Sequence, residues 1–297
     1  MLSVSVPALS LTIVCALGFA ACDYFRKVAS ESISSTLLLT IFVTGQVPLL
    51  GIWVLATNSF SLQIGYWPYG LVTGLAALFA NLFFIMAVRM SPLSLTIPIL
   101  ALIPVFTTIF GAIALNEIPG RQQILGILIS VIGLLTLYLP SENLRTGDLL
   151  HRFRAEEGSK YMLIVAILWS ATAPLDKMSM SFSSPATHAF IQVCMIAAVM
   201  ITYVITSRQL TKLIAIRHSL TAASLASLSA GIAYGCQLVA YQLTMISVVE
   251  SLKRVIGVLS ALILGSLLLN ENLTKQHFLG IILVCIGVPL IILPKLW

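Results

Sequence analysis

The sequence predicts an all-α membrane protein of ten transmembrane helices, arranged as two inverted five-helix repeats. Three observations lead there. The first is composition: of 297 residues only 9% are charged and 59% are hydrophobic, with a mean hydropathy of +1.05, whereas roughly a quarter of an ordinary soluble domain is charged. The second is that apolar runs of about 20 residues, the length of a membrane span, recur with short links and leave room for about ten. The third is an internal repeat. LNEIPGRQQILGILISVIGLLTLYLP, ending at Pro140, can be laid on LNENLTKQHFLGIILVCIGVPLIILP, ending at Pro294, without a gap. In this register Leu115, Asn116 and Glu117 fall on Leu269, Asn270 and Glu271, and Gln122, Gly126 and Gly133 fall on Gln276, Gly280 and Gly287.

In chain order the spans are expected at 6–25, 33–56, 67–88, 92–115, 121–139, 161–180, 186–206, 220–244, 247–269 and 276–294. Continuous apolar runs of this length satisfy their backbone groups inside a bilayer as helices, so none is assigned as a strand. No basic segment or small-residue cleavage site marks the N-terminus, and the first run is expected to stay as a helix. In the fourth span Pro98 and Pro104 remove two backbone donors, which predicts a kinked helix whose freed carbonyls face a neighbour or a wet cavity. The ninth span lacks both prolines and carries Lys253 and Arg254 instead.

The polar link Ser141–Lys160 divides the chain into a first repeat at 1–140 and a second at 161–297. Because each half has an odd number of predicted spans, the second starts on the opposite side of the membrane, which makes the repeat inverted. The likeness extends upstream. With a small gap Asn81 falls on Gln237, and Trp169–Pro174 (WSATAP) opens the second half as Gly18–Asp23 (GFAACD) opens the first.

A net charge of +6 does not point to nucleic acid, because the basic residues stand singly or in small groups between apolar runs, as topology signals and headgroup anchors do. The links after odd-numbered spans hold most of them, including Arg89, Arg152, Arg154 and Arg217. On the positive-inside rule that places both termini outside. Five cysteines, Cys15, Cys22, Cys194, Cys236 and Cys285, lie in apolar runs without a C-x-x-C pair and are expected to be buried thiols. His151, His188, His218 and His277 fall in links or at span ends, and no metal-ligand run, phosphate loop or catalytic grouping is present. No catalytic residue, metal site or cofactor is therefore expected.

Small residues mark the packing faces. Gly126 and Gly133 share a helix face, as do Gly280 and Gly287, while Ala223, Ser227, Gly231 and Gly235 form a small-xxx-small seam on the eighth span. Close packing and a surface that slides during transport both require such residues. Glu117 and Glu271 precede the fifth and tenth spans, where a carboxylate suits the positive end of a helix, and Pro119 and Thr274 fit helix starts.

The paired L-x-E turns at Leu115–Glu117 and Leu269–Glu271, each followed by spaced glycines, and the stretch VVESLKRVIGVLS at the ninth span carry a family resemblance. The chain resembles a ten-helix permease of the drug/metabolite transporter superfamily, EamA-like branch, over about Leu9 to Leu293. The resemblance implies a secondary transporter that moves a small organic solute, an amino acid or other metabolite, by alternating access through a cavity between the halves. It also implies cytoplasmic termini, against the charge count, and a multi-pass protein of the bacterial inner (plasma) membrane. A lipid or lipid-linked sugar flippase on the same scaffold is the alternative, and an integral-membrane enzyme assembled from distant residues is a third. The expected partners are a small-molecule solute and the lipid bilayer, not nucleic acid; the sequence leaves oligomeric state, solute and coupling open. Small four-helix relatives carry an acid within their first span. Here that span has only Asp23 near its end, able to pair with Arg26 or Lys27.

Solute contacts are sought among polar and aromatic residues deep in spans. Tyr234, Gln237 and Tyr241 recur at helical spacing as one stripe, suited to a cavity wall or to interhelical hydrogen bonds. Asn81 joins them through the repeat, and Trp169 as an aromatic wall or an interfacial anchor. Lys253 and Arg254 stand three and four residues after Glu250, so one positive charge is left over. Either basic residue could meet a solute carboxylate or phosphate, or both could snorkel to headgroups.

Overall fold

The computed structural model describes residues 4–91, 97–137, 157–208, 219–268 and 275–293. Among these residues the regular structure is helical: α1 (Val6–Ser30), α2 (Ser35–Thr57), α3 (Tyr66–Met90), a 3₁₀ turn (Ile97–Leu102), α4 (Ile103–Leu115), α5 (Arg121–Leu137), α6 (Glu157–Ser179), α7 (Pro185–Thr206), α8 (Leu220–Leu243), α9 (Ile246–Leu268) and α10 (Lys275–Ile292). Six of these, α1, α2, α3, α6, α7 and α8, are long and apolar enough to cross a bilayer, and α5, α10 and the 3₁₀–α4 segment are shorter apolar helices. The chain is an integral, multi-pass membrane protein.

Local chemistry sets the helix ends. Ser5 accepts a hydrogen bond from the Ala8 N–H ahead of α1, and Ser184 accepts one from Thr187 with Pro185 in the first turn of α7. Asn58 and Asn116 end α2 and α4 in the left-handed conformation, with φ of 46° and 54°, where asparagine is tolerated better than a branched residue.

The predicted kinked fourth span is corrected. A 3₁₀ turn covers Ile97–Leu102 and the α-helix begins at Ile103, with Pro104 in its first turn. There the missing N–H costs nothing, so Pro104 starts a helix instead of bending one. Ser170 on α6 donates to the Ile103 carbonyl at 3.3 Å, taking up a backbone acceptor at the junction.

The most extensive helix pairs join the two halves of the chain: α1 packs on α8, α3 on α6, α2 on α7 and α5 on α10, with α4 against α6 and α9, and α1 against α9. The repeated glycines explain the α5–α10 pair. A β-carbon at Gly126 would lie 2.7 Å from the Gly287 carbonyl oxygen, and one at Gly133 would lie 2.9 Å from that of Gly280. The two backbones touch, and only glycine allows it. The α8 seam packs likewise on α2, where a β-carbon at Gly231 would strike Leu49 at 2.7 Å and one at Gly45 would strike Ser227 at the same distance.

Polar and apolar faces are arranged for lipid. α3 turns Leu71, Val72, Leu75 and Phe79 outward and buries Gly70, Thr73, Gly74 and Phe84. Cys15 and Cys22 are buried as expected, Cys194 and Cys236 are partly so, and Cys285 is exposed. It sits on the outer side of α10 beside Ile286, where a thiol behaves as a small hydrophobe.

One end of the bundle is tied together across the halves. The link after α2 bonds to the α6–α7 turn through Gln63 N–H to the Phe182 carbonyl (2.9 Å), Ser184 Oγ to the Ser59 carbonyl (2.6 Å) and a bridge between Leu62 and Ser183. At the same end Glu117 accepts from Lys177 Nζ at 2.5 Å and from the Ile246 N–H at 3.0 Å. This corrects its expected role: Glu117 caps α9, not the α5 that follows it, where Gln123 Oε1 accepts from the Gly120 N–H at 3.1 Å. Its repeat partner Glu271, with Leu269, Asn270 and Thr274, lies outside the described residues, as do His151 and His218.

Candidate functional site

Among the described residues the interior between the halves holds three polar clusters joined by aromatic rings. The first is built on one face of α1, where Cys15, Phe19, Asp23 and Arg26 follow at helical spacing. Arg26 is 3% exposed. It bonds to Asp23 at 2.5 Å and to Asn81 Oδ1 on α3 at 3.1 Å, and its guanidinium lies 4.1 Å from the Phe84 ring centroid and 5.2 Å from that of Phe42. Of the two partners open to Asp23, the structure uses Arg26, while Lys27 donates to the Val88 carbonyl. Asn81 thus sits in the interior, held by Arg26 and by its own bond to the Ala77 carbonyl at 2.8 Å.

The second cluster joins α8 to α9. Lys253 pairs with Glu250 and donates to Gln237 Oε1 at 2.9 Å, with its ammonium 5.2 Å from the Phe19 ring centroid. Gln237 donates to the Tyr241 hydroxyl at 2.8 Å, and Tyr241 donates to Glu250 at 2.6 Å. Every member has a partner, so Lys253 turns into the bundle and does not snorkel. Glu250 takes Lys253, which leaves Arg254. Its guanidinium carbon lies 5.9 Å from the Trp169 ring centroid and its buried Nε has no partner. Among the described residues no carboxylate lies within ion-pair distance of it. Trp169 in turn packs on Phe84 at 5.3 Å. The predicted residues Asn81, Trp169 and Arg254 therefore lie along one chain of contacts, Asn81–Arg26–Phe84–Trp169–Arg254.

The third cluster was not predicted. His188, read from the sequence as a span-end residue, is fully buried in the first turn of α7. Its Nε2 lies 3.0 Å from Asp176 on α6 and its Nδ1 lies 3.1 Å from the Tyr66 hydroxyl on α3. Gln192 donates to Tyr66 at 3.2 Å and to the Gly70 carbonyl at 2.7 Å. Tyr234 parts from its stripe here: its hydroxyl donates to Asp176 at 3.4 Å and is 3.5 Å from His188. The available signal was Asp176 itself, the only acid inside the predicted sixth span, since an ionisable residue within a span marks a candidate site.

Charge is largely cancelled. Asp23 with Arg26, Glu250 with Lys253 and Glu117 with Lys177 form three pairs. Among the described residues of the three clusters, two charged groups stand apart from these pairs: Arg254, against a ring, and Asp176, against a histidine. Among the described residues two open crevices of about 330 and 530 Å³ lie along α8 and α2, and neither is lined by a predicted solute contact. No group of three His, Cys, Asp or Glu is arranged to hold a metal ion among the described residues.

A solved structure described only as a crystal structure of a protein superposes with a TM-score of 0.71 at 14% identity, covering 95% of each chain. At that identity the likeness shows the fold alone. No curated protein matches the chain. The EamA-like transporter family model matches twice, at residues 6–139 and 157–293. Spanning nearly all of both halves, these matches show that the chain belongs to the EamA-like transporter family.

Proposed function

We propose that the protein is a secondary transporter that moves a small anionic or zwitterionic organic solute by alternating access between two inverted halves, 1–140 and 161–297. The observation that carries the solute class is Arg254. A cation within a span costs roughly 2.5–3.5 kcal/mol on insertion scales, and this one has a ring beside it but no carboxylate among the described residues. A solute carboxylate or phosphate would supply the missing partner. Trp169 and Asn81 would line the same path, with Tyr234, Gln237, Tyr241 and Lys253 on the facing wall. The glycine crossing supports the inverted relation. Gly126 meets Gly287 and Gly133 meets Gly280, while the repeat equates Gly126 with Gly280 and Gly133 with Gly287. That reciprocal pattern is the signature of a two-fold interface. The exchange of α1–α8 for α6–α3, and of α1–α9 for α6–α4, follows the same rule.

The test is a thermal-stability screen of purified protein against carboxylates, phosphate esters and neutral sugars, since a ligand of the folded state raises its melting temperature. Carboxylates or phosphates should stabilise the wild type and not Arg254→Gln. Stabilisation by neutral sugars alone, or equal responses in the variant, rejects the anionic assignment. Uptake into sealed vesicles then reads transport directly, and lipid scrambling without solute uptake would replace the transporter by a flippase.

A further inference from the structure

We propose that Asp176 and His188 form a proton-binding site that couples proton movement to solute transport, with Tyr234 as the link to the solute site. Bond directions fix the tautomer of His188. The Gly70 carbonyl can only accept, so the amide face of Gln192 pointing at it is the NH₂. That same NH₂ donates to the Tyr66 hydroxyl, and the hydroxyl proton is left to His188 Nδ1. Nδ1 therefore accepts, and Nε2 carries the ring proton and donates it to Asp176. The ring is held in this orientation by a relay that ends on a backbone carbonyl. Among the described residues Asp176, 3% exposed, has no lysine or arginine within ion-pair distance, and its bonding partners are His188 and Tyr234.

The facing groups from every packed element agree with this. α3 offers Tyr66, α7 offers His188, and α8 offers Tyr234; α4 and the 3₁₀ turn bring no titratable residue. Lys177, next in sequence, is engaged with Glu117, and Lys253 is engaged with Glu250 and Gln237. An isolated carboxylate in a span is costly as an anion, and a proton removes that charge where no cation does. When Asp176 takes the proton, its new O–H needs an acceptor. Tyr234 is placed to accept it, which obliges the tyrosine to turn its own proton elsewhere. Tyr234 stands seven residues, about 10 Å along α8, from Tyr241, and Tyr241 and Gln237 hold the Glu250–Lys253 pair. The clasp also joins α3 of one half to α6, α7 and α8 of the other. Its protonation therefore bears on how the halves meet.

Proton binding can be tested without knowing the solute. Infrared difference spectra of the full-length protein in lipid, recorded on stepwise acidification, should show the C=O stretch of a protonated carboxylic acid that is lost in Asp176→Asn and kept in Glu250→Gln. Absence of the band in wild type, or its survival in Asp176→Asn, overturns the site. Should Asp176→Asn fail to fold, Tyr66→Phe gives a second reading: it removes the bond that fixes the His188 tautomer and should shift the midpoint of the same band, and an unshifted midpoint overturns the relay. Coupling rests on the transporter reading and is tested separately. In sealed vesicles with an entrapped pH dye, a mixed pool of carboxylate and phosphate metabolites should move protons with wild type and not with Asp176→Asn. Solute uptake without proton movement overturns coupling. Failure of all uptake with the band intact rejects the transporter reading and upholds the proton site.

Discussion

The α5–α10 crossing and the interior around α1, α6, α8 and α9 both join the two halves, by opposite means. At the crossing, glycines bring one backbone onto the other. In the interior, arginine, lysine, acids, tyrosines and glutamine meet through side chains, with rings between them. Lipid tails are as apolar as leucine, so neither contact is held by the hydrophobic effect that joins helices in water. Shape holds the first and hydrogen bonding the second. Shape fails when atoms are added, whereas a polar network fails when one member is removed and its partner is stranded.

The comparison breaks most severely at the buried pair. Glu250→Ala leaves Lys253 without its anion and should cost roughly 3–5 kcal/mol, while replacing both Glu250 and Lys253 with methionine should recover most of that loss. Melting temperatures of the single and double variants in detergent decide it, and equal losses would show that packing, not charge, holds the site. At the crossing, Gly126→Val places atoms against a backbone that cannot swing aside and should cost about 1–3 kcal/mol or more. A nearly unchanged melting temperature would mean the helices part freely there. Tyr234→Phe removes one long hydrogen bond and should cost about 0.6 kcal/mol, with proton-linked transport reduced much more than stability. The smallest stability effect belongs to Arg254→Gln, whose melting temperature should match wild type without solute and fall behind only when carboxylates or phosphates are added. A marked loss without solute would make Arg254 a structural residue.

These regions also differ in how far the sequence discloses them. The glycine faces were legible because both helices carry the same motif, and seven-residue spacing puts each pair on one side. The Gln237–Tyr241 and Glu250–Lys253 contacts were legible for the same reason, being neighbours within one helix. Tyr234 was grouped with them and leaves them in space: it shares a face with Tyr241 but lies two turns away, among partners from other helices. Asp176, His188, Tyr66 and Gln192 come from three helices, and the four-residue spacing of His188 and Gln192 on α7 does not disclose their partners on α3 and α6. The bond from Glu117 to α9 is hidden on a like ground, since the helix a carboxylate caps need not be the next one along the chain. Spacing alone predicts a kink at Pro104 because it does not distinguish a proline inside a helix from one that opens it.

The Glu250–Lys253 pair bears also on how the chain enters the membrane. Glu250 and Lys253 are three residues apart on one helix, so they can meet while α9 is still alone in the lipid, before any tertiary contact forms. The helix then carries two fewer effective charges through the step at which each segment is admitted to the bilayer. α8, synthesised just before, already presents Gln237 and Tyr241 to receive them. Arg254 has no such escort, and α9 must be seated by neighbours that arrive earlier, α6 with Trp169 among them. For α9 the order of residues along the chain thus doubles as an order of assembly, in which Lys253 and Arg254 are delivered to partners already made.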